Sequence, residues 1–321
     1  MTKYSQIKGA TRRTLQCLAV LGMAGLCLPA IGQDNETVET GEPVAAAEEG
    51  AQRLPIQFTA GGSRQFNTTI ENGGNFSINR FRTGLGVPVR LNDQFTLSTS
   101  IKYQLDAYDF GGGTDPWGDV NTLSGIALLH YRLDDHWLFY GGPILRVAAE
   151  SGASWNNATR AGGMLALNYI ANEQLSFGGG IVVMGQIAEN ARVLPILTAN
   201  WRFAEDWKAT LGFTDLATSG YGADVAWSFC EDWQLTLGGQ AHKSRFRING
   251  NGPTENGVGQ ESSFTLTVAA TWAPSKSFSA TAFAGLAIGG KIELDTSNGT
   301  QLRNDSYHTA PIIGAKATIQ F

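Results

Sequence analysis

Counting back from Phe321, the residues Ile319, Ala317, Ala315 and Ile313 alternate with Gln320, Thr318, Lys316 and Gly314. A period of two places one set of side chains on each face of a strand. A strand with two unlike faces that ends on an aromatic at the chain terminus needs a partner for its edge. Pairing with the first strand of the same chain, so that the sheet closes on itself, meets that need. Three interior segments carry the same period. Phe95, Leu97, Ile101, Tyr103 and Leu105 alternate with polar residues. So do Tyr221, Ala223, Val225, Trp227 and Phe229, and again Phe264, Leu266, Val268, Ala270 and Trp272.

The joints between such segments repeat. Leu91-Asn-Asp-Gln-Phe95, Leu133-Asp-Asp-His-Trp137, Phe203-Ala-Glu-Asp-Trp207 and Phe229-Cys-Glu-Asp-Trp233 each read large apolar, three mostly polar residues, aromatic. Ile170 to Leu175 and Trp272 to Phe278 are longer versions. The stretch Trp201 to Gly212 recurs as Trp227 to Gly238, a spacing of one hairpin. Six tight turns alternate with seven variable connections near 67–75, 109–120, 149–157, 188–191, 215–220, 248–260 and 292–306. That arrangement predicts an all-β, closed antiparallel transmembrane β-barrel of about fourteen strands, with twelve to sixteen open. Short turns would then lie in the periplasm and longer loops outside.

The amino terminus fits that destination. Lys3, Lys8, Arg12 and Arg13 precede the apolar run Leu15 to Leu28 and the small residues before Gln33, a secretory signal peptide over 1–32. Residues 33–52 hold six acids and no aromatic, a disordered acidic periplasmic tail. The barrel is expected over 53–321. The charged fraction of 16% is low and the 40 glycines are many, as suits a wall that shows lipid only its alternate residues. A secreted β-sandwich is the soluble alternative. It gives no reason for Phe95, Trp137, Trp207, Trp233 and Phe278 to begin strands, and Trp201, Trp227 and Trp272 to end them, at one level. An aromatic girdle in the periplasmic headgroup layer does.

With leader, girdle turns and terminal Phe321 together, residues 53–321 resemble bacterial outer-membrane β-barrels, and in size and strand count porin-like families of unknown function. The resemblance implies the bacterial outer membrane as location, and lipid with possible lipopolysaccharide as surroundings. It also implies recognition of the last strand, through Ile319 and Phe321, by the barrel-assembly machinery. The chain departs from fatty-acid transporters of similar strand count, because 33–52 lacks the apolar content of their amino-terminal hatch. It departs from trimeric porins because it has no long third loop suited to folding inward.

The face opposite the apolar set would line the lumen. It carries Arg80, Arg82, Arg90, Lys102, Arg132, Arg146, Arg160, Arg202, Lys208 and Lys316, against Asp106 and Asp224 in strand interiors. A positive, low-dielectric pore concentrates anions. The expected function is therefore a porin-like channel for passive diffusion of small solutes, preferring anions. A structural or adhesive barrel without conductance is the alternative, and a barrel hydrolase a weaker one, its least poor constellation being His242 with Asp224 and Ser244. No metal spacing or nucleotide fingerprint calls for a cofactor, and no feature points to nucleic acid.

Overall fold

The computed structural model describes residues 54–113, 115–250 and 254–321. The expected signal peptide and acidic tail lie outside the described residues. The strands are β1 (Gln57–Thr69), β2 (Asn75–Arg90), β3 (Phe95–Gly111), β4 (Val120–Arg132), β5 (Trp137–Glu150), β6 (Thr159–Asn172), β7 (Leu175–Gln186) and β8 (Glu189–Ala204). They continue as β9 (Trp207–Thr214), β10 (Gly220–Cys230), β11 (Trp233–Arg247), β12 (Val258–Ser275), β13 (Phe278–Asp295), β14 (Gln301–Tyr307) and β15 (Ala310–Gln320). A four-residue helix, α1 (Trp155–Ala158), precedes β6.

Strands β1 to β13 pair in chain order, each antiparallel to the next. β14 and β15 lie end to end along β13, with β14 on Gly290 to Asp295 and β15 on Phe278 to Ala287. Together they form one stave, so the barrel has fourteen. β1 closes onto β15 from Gln57↔Gln320 to Gln65↔Ile312. Ile56 and Phe321 add two backbone hydrogen bonds at 3.2 and 3.0 Å. Closure leaves no free edge there, the condition for crossing a bilayer with strands. The stretch 292–306, expected as a loop, is instead mostly the β13/β14 ladder, because its polar residues sit beyond the apolar belt where a strand needs no lipid-facing side chains.

The outer surface carries the apolar set, including Phe81, Leu85, Ile101, Leu165, Phe177, Leu237, Leu266 and Ile313, all exposed. At the rim of tight turns the rings meet across strands. Phe95 stacks on Tyr131 at 4.6 Å between centroids, Trp207 on Trp227 at 5.6 Å and Trp233 on Trp272 at 6.3 Å. Three of the turns share one device. Asn92 Oδ1 accepts the backbone N–H groups of Gln94 and Phe95, Asn172 Oδ1 those of Gln174 and Leu175, and Asp134 Oδ1 those of His136 and Trp137. Such side-chain turns satisfy donors that the tight reversal would otherwise leave open. Those two amides, as acceptor-stabilising partners, also hold the exposed Asp134 carboxyl below the usual carboxylate range.

One stretch of wall is thinner. β8 and β9 pair only from Ala199↔Leu211 down to Ala204↔Trp207, although β8 runs on to Glu189. Above Ala199 the Tyr221 hydroxyl of β10 reaches past β9. It accepts from the Leu197 N–H at 3.0 Å and donates to the Leu197 carbonyl at 2.7 Å. Pro195 has the same strand parity as Leu197, so its missing N–H falls on this seam, where no ladder bond is lost.

Candidate functional site

The shortening of β9 and β10 turns their connecting loop, 215–219, into the lumen. There it meets cations from the opposite side of the barrel. Lys316 on β15, Gly61 on β1 and Arg82 on β2 stand in one register row, and Lys102 projects from β3 beside them. Gly61 is needed at this point, since a Cβ there would come within 2.7 Å of Lys316 Cβ and of the Ala315 carbonyl oxygen. Asp215 takes Arg82 Nη1 on Oδ1 at 3.2 Å and Lys102 Nζ on Oδ2 at 2.9 Å. Its backbone carbonyl accepts Lys316 Nζ at 3.2 Å, and the Ala217 carbonyl accepts Arg82 Nη2 at 2.7 Å. Behind the loop, Gln240 Nε2 donates to Thr218 Oγ1 at 2.6 Å, and His242 Nδ1 lies 3.2 Å from the Ser219 carbonyl.

Burial alone would raise the Asp215 pKa, but Lys102, Arg82 and Lys316 outweigh it and hold the carboxyl well below the ordinary range. A depressed carboxyl contributes stability that is complete above its unfolded value of about 4 and is lost only as pH falls through the lower folded value. Limited proteolysis of the loop in the folded barrel should therefore be unchanged between about pH 8 and about pH 5. Release of the loop within that window would contradict the assignment of these partners.

A second charged layer lies next to the first, towards the loop rim. Arg80 Nε stands 3.4 Å from Asp106 Oδ1, and its Nη2 stands 3.1 Å from Glu261 Oε2. Arg80 Nη1 donates to Gln65 at 3.2 Å. Glu261 also takes the Tyr307 hydroxyl at 2.6 Å and faces His242 Nε2 at 3.1 Å. The Tyr307 ring lies flat over Gly290, where a Cβ would sit 1.9 Å from Cζ, so only glycine admits the ring. Further towards the loop rim the interior is apolar. Trp117, from the β3–β4 connection, packs on Phe246 at 5.1 Å and on Tyr108 and Phe110 at 5.6 Å. β5 and β11, on opposite walls, come together through Ala149↔Arg247.

The remaining sequence-predicted cations are dispersed. Arg90 pairs with Asp93 at the turn rim, 3.3 Å apart. Arg146 donates to Ser244 Oγ at 3.4 Å, and Arg160 to the Asn157 carbonyl at 3.0 Å. Arg132 is half-buried, and its Nε has no hydrogen-bond partner among the described residues. Arg202 is exposed, and its backbone N–H joins the Gln174 carbonyl at 2.7 Å. Lys208 lies one diagonal from Asp224, which pairs with Thr210. His242 is not brought to Asp224 and Ser244, its partners being Glu261 and the Ser219 carbonyl.

Three features escaped the sequence reading. Asp215 and Glu261 add inward acids to Asp106 and Asp224, and the inward element is a five-residue loop instead of a long one. The inner face of β4 to β8 carries an apolar patch, with Leu128, Leu138, Tyr140, Met164, Val182 and Ile196 forming one buried cluster beside the buried polar residues His130, Asn168 and Thr198. The lumen is thus uneven, with clustered cations on the β15–β1–β2–β3 wall and an apolar patch among polar residues on the other.

No protein-family model matches the chain, and no curated protein does. Among solved structures, the chain is similar to a FadL homologue of Pseudomonas aeruginosa at 10% identity and a TM-score of 0.49, over 83% of this chain and 90% of that one. It is similar to an outer-membrane channel of Pseudomonas putida at 11% identity and 0.45, over 87% and 100%. The toluene transporter TodX of Pseudomonas putida follows at 9% and 0.42, over 83% and 89%. The class rests on the geometry itself: a closed, even-stranded antiparallel barrel, apolar outside and ringed with tryptophan at its turn rim, is an outer-membrane β-barrel.

Proposed function

We propose that this barrel is a passive channel for small solutes with a preference for anions. The observation that carries the proposal is the convergence of three cations on Asp215, Arg82 and Lys102 on its carboxylate and Lys316 on its backbone carbonyl, which leaves that level of the lumen with a surplus of positive charge. Arg146 on β5 adds to it in the register row of Lys102, and Arg132 at the end of β4 adds a cation nearer the turn rim. Fixed cations in a low-dielectric passage raise the local anion concentration, and rings of Arg and Lys are a device of anion pores. In this reading the tight turns face the periplasm, the tryptophans occupy the headgroup layer, and lipopolysaccharide surrounds the loop rim. Ile319 and Phe321, the latter 77% exposed, present the last strand to the assembly machinery.

The test is single-channel current from the refolded chain in a planar bilayer under a potassium chloride gradient. An anion-selective reversal potential is expected, and it should move towards zero when Arg132 and Arg146 are both replaced by glutamine. Cation selectivity in the wild type would overturn the preference. The aromatic closure at the loop rim favours a second reading, a structural barrel that does not conduct. Silence from a demonstrably folded barrel would select it.

A further inference from the structure

We infer that the Arg82–Lys102–Lys316 cluster is a binding site for a solute carboxylate, occupied in this structure by the chain's own Asp215 as a displaceable stand-in. The inference rests on the channel reading for its purpose, and on the geometry for its content. Arg82 and Lys102 each take one Asp215 oxygen, at 3.2 and 2.9 Å, so both carboxylate oxygens are engaged as they would be in a free carboxylate ligand. The three cations come from β2, β3 and β15, and the ladder with Gly61 between them fixes their backbone positions without help from the loop. The loop is held from both sides. Its far-wall contacts go to the cations, and its near-wall contacts go to Gln240 and His242 on β11. Exchange of one carboxylate for another at the far wall frees Asp215 while the near-wall contacts keep the loop attached.

The charge count makes the exchange feasible. Among the described residues Asp215 supplies the one carboxylate bonded to the cluster, with Asp224 acting on Lys316 from further off, so a second anion can approach before the first departs and no isolated charge is buried at any stage. The tether sets the concentration required. A group on a short loop competes as though present at millimolar levels, so a free carboxylate should act in the range of about one to tens of millimolar. Chloride, with a single centre, cannot bridge Arg82 and Lys102 as a two-oxygen ligand does.

The test uses the refolded full chain and potassium acetate at constant ionic strength. With wild type in the bilayer, acetate should increase the conducting fraction of time, with a midpoint near the millimolar range. Asp215→Asn should show the raised conducting fraction without acetate and lose that dependence. Calorimetric titration of acetate into the detergent-folded barrel gives a readout that needs no current. D215N should bind acetate on the order of tenfold more tightly than wild type, because the tethered competitor is gone. Adding Arg82→Gln and Lys102→Gln to D215N should abolish the binding. If D215N does not fold, the wild-type acetate titration decides by itself. An anion-selective channel indifferent to acetate, with no tighter acetate binding by D215N, overturns this site and leaves the channel reading standing. Acetate binding by D215N without any current overturns the channel reading and leaves the site.

Discussion

Replacement of Glu261 by leucine should lower the stability of the folded barrel by about 3–5 kcal/mol, the usual cost of leaving one member of a buried ion pair without its partner. Glu261 is fully buried, and three groups depend on it: Arg80 at 3.1 Å, Tyr307 at 2.6 Å and His242 at 3.1 Å. Arg80 keeps Asp106, but only through a 3.4 Å contact to Nε, so its Nη2 would face an apolar side chain. Denaturant unfolding of the barrel in lipid vesicles measures the loss. Adding Arg80→Leu and Asp106→Asn to E261L removes the stranded charges and should restore most of the stability, since a buried ionic group replaced as a whole is often close to neutral. A single substitution that costs less than about 1 kcal/mol would show that water reaches Arg80 in the membrane-embedded state.

The second large effect is expected at Trp117. Trp117→Ala should cost about 3–5 kcal/mol, the range for emptying a large aromatic site in a packed core, and should also increase conductance. The indole is 3% exposed and sits among Phe246, Tyr108 and Phe110 with centroids at 5.1 to 5.6 Å. Its Nε1 makes no hydrogen bond among the described residues, so packing alone holds it. Removing it takes the centre out of the apolar closure at the loop rim without touching a charged layer. Trp117→Phe should recover most of the stability. Unfolding and bilayer current, measured on the same preparations, separate the two consequences. A large stability loss with unchanged current would mean that another constriction, such as the 215–219 loop, limits flow.

Much of this architecture was legible in the sequence because its determinants are local. Alternation decides which way each side chain faces. The hairpin ends are written as Asn92, Asp134 and Asn172 two or three residues before the donors they receive. The lumen was harder because its partners are far apart in the chain. Asp215 meets Arg82 across 133 positions and Lys102 across 113, and no short-range pattern reports such a meeting. Glu261 was missed for a simpler reason, since it stands one residue past a polar stretch that reads as loop. The apolar inner patch did leave a trace. Runs such as Ile126-Ala-Leu-Leu129 and Ile181-Val-Val-Met184 break the alternation, and a strand apolar at consecutive positions has both faces covered.

The seam between β8 and β9 also bears on how the wall can move. Elsewhere neighbouring strands are fastened by a ladder in which opening one rung gains little unless the next opens too. Above Ala199 the fastening is a single phenol hydroxyl that serves both polar groups of Leu197, beside a proline that has no rung to offer. A side-chain bond swings away through one torsion and re-forms without re-registering a strand. Among the described residues this is the shortest ladder between neighbouring strands, and the hairpin beside it is the one whose tip Asp215 holds across the lumen.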